Sequence, residues 1–150
     1  MPPPNIHGTG LVIGDRGVLI TGASGAGKTT LALALIDRFQ GRGLYARLVG
    51  DDQLFVSARG GRPLMRAPPA ISGLAEVHGI GPRPLSIEPA AVIDLVVCLV
   101  PSEATERLQE ETTQAIAGCP VPRIDSCERN VAAALPLVAA RLGLPPFSPA

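Results

Sequence analysis

The chain has 150 residues, enough for one domain with a substantial core, and its 13 basic residues balance 13 acidic ones to a formal net charge of zero. That balance argues against a general nucleic-acid binder, which carries a basic excess, and leaves no polybasic patch for a membrane surface. No run approaches the roughly 20 apolar residues of a bilayer span, and MPPPNIHG lacks the regions of a secretory signal, so a cytoplasmic protein is expected.

In chain order, residues 9–21, TGLVIGDRGVLIT, hold two β-type runs around a Gly/Asp turn and predict a hairpin. The second run leads directly into GASGAGKTT. LALALIDRF follows, rich in helix formers, with apolar positions nearly all round and stops at Gly41 and Gly43, which predicts a well-buried helix. YARLVGDDQLFVSA predicts a strand up to the two acids and a second strand after them, with GGRP as a turn. LMRAPPAISG is expected to be extended or irregular, and AEVHGIGPRPLSIEPAA mostly loop. AVIDLVVCLVP predicts a buried strand ended by Pro101, with Cys98 as a small buried apolar residue. Cys98, Cys119 and Cys127 are odd in number and lack metal-ligand spacing, so no complete disulfide framework is expected.

SEATERLQEETTQAIAG predicts a surface helix with a narrow face of Ala104, Leu108 and Ala115, stopping at Gly118. VPRID predicts a short strand, and Asp125 with Glu128 fits a capping box for a helix over NVAAALPLVAARLG, kinked at Pro136. Residues 1–5 and 144–150 are expected to be loose tails. There is no internal repeat and no dividing linker. The expectation is a single α/β domain over residues 1–150, with a phosphate loop and a mixed, partly antiparallel sheet flanked by helices.

The chemistry is concentrated in three motifs. Gly22-Ala23-Ser24-Gly25-Ala26-Gly27-Lys28-Thr29, continued by Thr30, satisfies every fixed position of G-x-x-x-x-G-K-[ST] between a strand and a helix. Its backbone N–H groups would cradle phosphates, Lys28 would reach the β- and γ-phosphates, and the Thr29 hydroxyl would bind magnesium. Asp51 and Asp52 follow Lys28 by 23 and 24 positions. Neighbouring side chains of a regular strand point to opposite faces, but at a strand end both can turn to one site. One acid could then help hold magnesium while the other accepts a proton. Glu76 and His78 lie in a Gly-rich stretch that alone reads as a turn, and His7 in IHGTG is ambiguous alone.

Together, an N-terminal His-Gly, a hairpin into a phosphate loop, LVGDDQ and AEVHGIG resemble the catalytic domain of HPr kinase/phosphorylase. The likeness is closer to its short alphaproteobacterial form, and runs over about residues 5–142, most densely 7–81. The resemblance implies an HPr kinase/PEP-carboxykinase-like fold. It implies an ATP- and magnesium-dependent protein-serine kinase acting on an HPr-type phosphocarrier, with dephosphorylation by phosphorolysis and a role in regulating the phosphotransferase system. It makes Asp51 the base that takes the serine proton, keeps Lys28 in its phosphate-loop role, and matches His7 to the family's N-terminal histidine near the phosphate loop. It makes Asp52 a support for the magnesium, with Thr29 and with Glu76, which orders the metal site. The chain departs from the family where His78 stands for the usual arginine, where Gly-Lys-Thr-Thr replaces Gly-Lys-Ser and an acid, and where an arginine-bearing loop shrinks to PRPLSIEPAA, leaving Arg83 to stand in. These departures bear on phosphorolysis more than on the kinase reaction. The rival readings are a small-molecule kinase acting on a sugar or nucleoside hydroxyl, and a nucleotide-binding regulatory module contacting a two-component sensor kinase. Oligomeric state does not carry over.

Overall fold

The ten residues Ala91–Val100 form the central strand of the protein, as their nearly unbroken apolar run demands. The structure, a computed structural model, describes residues 5–147. Eleven strands are described: β1 (Asn5–His7), β2 (Thr9–Ile13), β3 (Arg16–Gly22), β4 (Ala46–Gly50), β5 (Gln53–Arg59), β6 (Arg62–Arg66), β7 (Leu74–Val77), β8 (Gly81–Pro84), β9 (Ala91–Val100), β10 (Thr112–Ile116) and β11 (Cys119–Cys127). The helices are α1 (Lys28–Gly41) and α2 (Val131–Leu142). The main sheet runs β1-β5-β6-β9-β3-β2-β4, with β11 also on β9 and β10 on β11; β7 and β8 make a separate hairpin.

Two cores follow from alternation along the strands. One joins Val18, Ile20, Leu95, Val97 and Leu99 of the sheet to Leu31, Leu35 and Phe39 of α1 and Ala134 and Val138 of α2. The other joins Leu19 and Val96 to Leu54, Val56, Met65, Ile116 and Val121. Close strand approach requires glycine at Gly17, where a Cβ would lie 1.8 Å from the Val92 carbonyl oxygen.

Strand directions set the position of the site. β3 and β11 both run parallel to β9. β2 is antiparallel to both β3 and β4, so β4 shares the direction of β3. The carboxyl ends of β3, β4 and β11 therefore gather at one end of the sheet, where ligands bind in open α/β sheets.

The predicted hairpin, the helix after the phosphate loop, the strands either side of the acids, the buried strand and the final helix are all present. The predicted helix over 102–118 is not. Ser102–Ala104 form a single 3₁₀ turn, and Thr112–Ile116 are a strand antiparallel to β11. Leu108, at the centre of the expected apolar face, is 88% exposed, so that face has nothing to bury against. Gly118 is not a helix stop. Ala117 (φ 50) and Gly118 (φ 76) are the two left-handed central residues of a tight turn between the paired Ile116 and Cys119, as a type I′ hairpin requires.

VPRID is part of the longer β11, where Asp125 pairs with Cys98 across the ladder and bonds the Arg123 guanidinium at 2.9 Å; it caps no helix. The cap of α2 is Asn130, whose Oδ1 accepts from the Ala133 N–H at 3.1 Å, and Pro136 lies within that helix. Over the stretch expected to be mostly loop, Leu74–Val77 and Gly81–Pro84 form the β7–β8 hairpin, while residues 85–90 belong to no strand element. Asn5 belongs to β1 and Leu144 packs on the core, so neither is loose tail; residues 1–4 and 148–150 lie outside the described residues. Cys98 is half-buried rather than buried, and all three cysteines are free thiols.

Candidate active site

β3 ends at Gly22 and α1 begins at Lys28, so residues 23–27 form a loop over the amino end of the helix. Gly22, Gly25 and Gly27 have φ of 150, 80 and 97, which L side chains rarely adopt. Glycine at such angles lets a loop curl so that its backbone N–H groups can face an anion, which the helix dipole also favours. Lys28 is 7% exposed and donates from Nζ to the carbonyls of Gly22 (3.0 Å) and Ala23 (3.1 Å).

Asp51 follows β4 and is 6% exposed. Its Oδ1 accepts from the hydroxyls of Thr9 at 2.9 Å and Thr29 at 2.7 Å, and its Oδ2 accepts from the Glu76 N–H at 2.8 Å. Three donors from three separate elements fix this carboxylate and tie the acid pair to the phosphate loop. Hydrogen bonds to an ionised acceptor are the stronger kind.

Asp52 is placed differently. Its φ of 68 breaks the strand, a conformation Asp tolerates better than most residues. The break lets neighbouring acids serve one site. The Asp52 carboxylate is 61% exposed, and its Oδ1 lies 3.1 Å from His7 Nε2. The β1–β5 register, which sets His7 opposite Gln53, brings that histidine to the acid, and the Gly8 N–H donates to the Asp52 carbonyl at 3.0 Å.

A cleft of about 890 Å3 joins these groups. Ser24, Lys28, Thr29, Thr30, Asp51, Asp52, Glu76 and His78 line it, so the loop, the acid pair and the Glu76–His78 hairpin form one site. Arg83 does not line it; the side chain is exposed and bonds its neighbour Pro82's carbonyl at 3.1 Å. Arg129, two residues past the end of β11, does line it. Thr9 and Arg129 are the site residues that sequence reasoning missed. Thr9 stood beside the predicted His7, whereas nothing near Arg129 marked it.

Among the described residues no group of three or more His, Cys, Asp or Glu is placed to hold a metal ion by itself, so magnesium here would need phosphate and water oxygens beside one or two carboxylates, the usual way this hard cation is bound. Thr29 and Asp51 are in hydrogen-bond contact, and Asp52 and Glu76 line the same cleft.

Residues 2–133 match the family model described as the HPr serine kinase C-terminal domain. The HPr kinase/phosphorylase of Limosilactobacillus reuteri (strain DSM 20016) is 36% identical over an alignment of 135 residues that covers 82% of this chain and 40% of that protein. The HPr kinase/phosphorylase of Lacticaseibacillus casei (strain BL23) is 34% identical over an alignment of 132 residues that covers 80% of this chain and 40% of that protein. The solved structure of the Hpr(Ser) kinase/phosphatase from Coxiella burnetii matches with a TM-score of 0.75 at 30% identity, covering 93% of both chains. The chain spans about 40% of the length of the curated relatives it matches.

Proposed function

The chain belongs to the HPr serine kinase C-terminal domain family, and on that premise we propose that it transfers phosphate from Mg-ATP to a serine of an HPr-type phosphocarrier protein. The observation that carries the proposal is the Thr29–Asp51 contact at 2.7 Å. It joins a complete phosphate loop to an acid pair whose second member stands exposed in the same cleft.

The geometry supports a division of labour opposite to the one expected from the sequence. Asp51, immobilised by three donors and bonded to the magnesium-side hydroxyl of Thr29, is the acid suited to hold the metal. Asp52, exposed and facing His7, is the acid an incoming hydroxyl can reach. A serine presented there attacks the γ-phosphorus, its proton passes to the Asp52 carboxylate, and ADP leaves. His7 holds Asp52 in position, and Lys28 moves from its two loop carbonyls to the phosphates. Magnesium, when bound, offsets phosphate charge. Glu76 contributes through both ends, its N–H to Asp51 and its side chain toward the cleft.

In phosphorolysis inorganic phosphate takes the place of ADP: its oxygen attacks the phosphoserine phosphorus, the bond to the serine oxygen breaks, pyrophosphate leaves, and Asp52 returns the proton to serine. The test is incubation of the protein with Mg-ATP and the HPr-type protein of the same organism, with the phosphate located by mass spectrometry. Phosphoserine on that protein supports the reading; its absence while ATP still binds removes it.

A further inference from the structure

β11 carries the chain back to the phosphate loop, and the two residues after it are held there. The Glu128 N–H donates to the Val100 carbonyl at 2.8 Å, keeping the chain beside the end of β9. Arg129 then adopts φ 52, uncommon for a bulky residue and maintained only where the surroundings enforce it. Its N–H donates to the Ala26 carbonyl at 2.9 Å. Its Nη1 donates to the Gly25 carbonyl at 3.2 Å and its Nη2 to Glu128 Oε1 at 2.7 Å. The Glu128 side chain is only 18% exposed, whereas that of Arg129 is 64% exposed and borders the cleft. Lys28 and Arg129 are the only lysine and arginine among the cleft-lining residues described. Both donate to carbonyls of one loop: Lys28 to Gly22 and Ala23, Arg129 to Gly25.

We propose that Arg129 is a phosphate-contact residue, whose guanidinium exchanges the Gly25 carbonyl for oxygens of the nucleotide's phosphate chain, with Glu128 as its positioning residue. Arginine forks two donors toward phosphate, which His78 cannot do while neutral. Arg129 also borders a second cavity of about 200 Å3, lined by Leu31, Leu99, Val131 and Ala134. Gly27, Thr30 and Arg129 line both spaces, so a ligand spanning them runs alongside Arg129. The inference rests on the loop binding a nucleotide.

The test is Mg-ATP affinity by calorimetry at two salt concentrations, with thermal unfolding of each protein as the control for folding. Arg129→Asn removes the cation and keeps a side chain that tolerates φ 52. It is expected to unfold near the wild-type temperature, to bind ATP about tenfold more weakly or worse, and to show a shallower salt dependence. Arg129→Gln, which keeps part of the aliphatic stem, carries the same test if the Asn variant does not fold. Unchanged affinity overturns the proposal, and so does weaker affinity with an unchanged salt dependence, the mark of a residue that only braces the loop. A wild-type protein that binds no ATP overturns the kinase reading itself, and this inference with it.

Discussion

Thr9→Val isolates one bond of the Asp51 clamp. Thr9 is fully buried, and its hydroxyl donates to Asp51 Oδ1 at 2.9 Å. Valine keeps the branching and replaces the hydroxyl with a methyl. Losing a hydrogen bond to a charged acceptor costs about 1.5–3 kcal/mol, and the extra buried methyl returns about 0.8 kcal/mol. The net loss is about 1–2 kcal/mol, or about 2–8 °C in unfolding temperature for a domain of this length. Urea unfolding followed by circular dichroism, on wild type, Thr9→Val, Asp51→Asn and the double variant, gives the coupling between the two positions. Residues in direct contact are expected to couple by about 1–2 kcal/mol. Two hydrogen bonds to Asp51 remain in Thr9→Val, from Thr29 and Glu76, so the variant should fold, transfer phosphate and need more magnesium to do so. Additive effects of the two substitutions, with an unchanged magnesium midpoint, would refute the clamp.

Gly17→Ala drives a Cβ to within 1.8 Å of the Val92 backbone oxygen and disturbs the β3–β9 pairing. Unfolding curves should show a loss of roughly 3 kcal/mol or more, and wild-type stability would mean the two strands are farther apart. Lys28→Met removes the buried ammonium from the phosphate loop, and ATP titration should give binding about tenfold to a hundredfold weaker. Tyr45 is the only tyrosine in a chain without tryptophan, so its titration can be read directly from tyrosinate absorbance. Its hydroxyl donates to Glu88 Oε2 at 2.6 Å, and this hydrogen bond is the main cause that raises its pKa above the ordinary 10.0. The protonated form is the one stabilised by folding. Its contribution is therefore complete below pH 10.0 and is lost as pH rises through the higher folded value. Glu88→Gln should bring the absorbance midpoint down; an unmoved midpoint would remove Glu88 as the cause.

The parts legible in the sequence were those with a local signature. The phosphate loop has fixed spacing, the run at 91–100 is almost continuously apolar, and GDRG sits between two β-type runs. Residues 102–118 misled because Glu, Gln and Ala favour helix, whereas the deciding feature is a tight turn at Ala117-Gly118 seen only once Ile116 and Cys119 pair. The acid pair was legible as a site, and the roles proposed above for its two members draw on features that no local motif carries. Those features are the left-handed φ of Asp52 and donors from positions 9, 29 and 76, far apart in the chain. Arg129 left no local signal. It reaches Gly25 across 104 residues because β11 runs parallel to β9, and no periodicity reports that pairing.

The most direct measurement is single-turnover phosphate transfer to the HPr-type protein by wild type, Asp51→Asn and Asp52→Asn across a magnesium titration, with ATP binding measured alongside. Transfer by wild type, no transfer by Asp52→Asn with ATP binding retained, and transfer by Asp51→Asn shifted to higher magnesium is the predicted outcome. Wild-type rates from Asp52→Asn, or no phosphate on the carrier from wild type that binds ATP, would contradict the account.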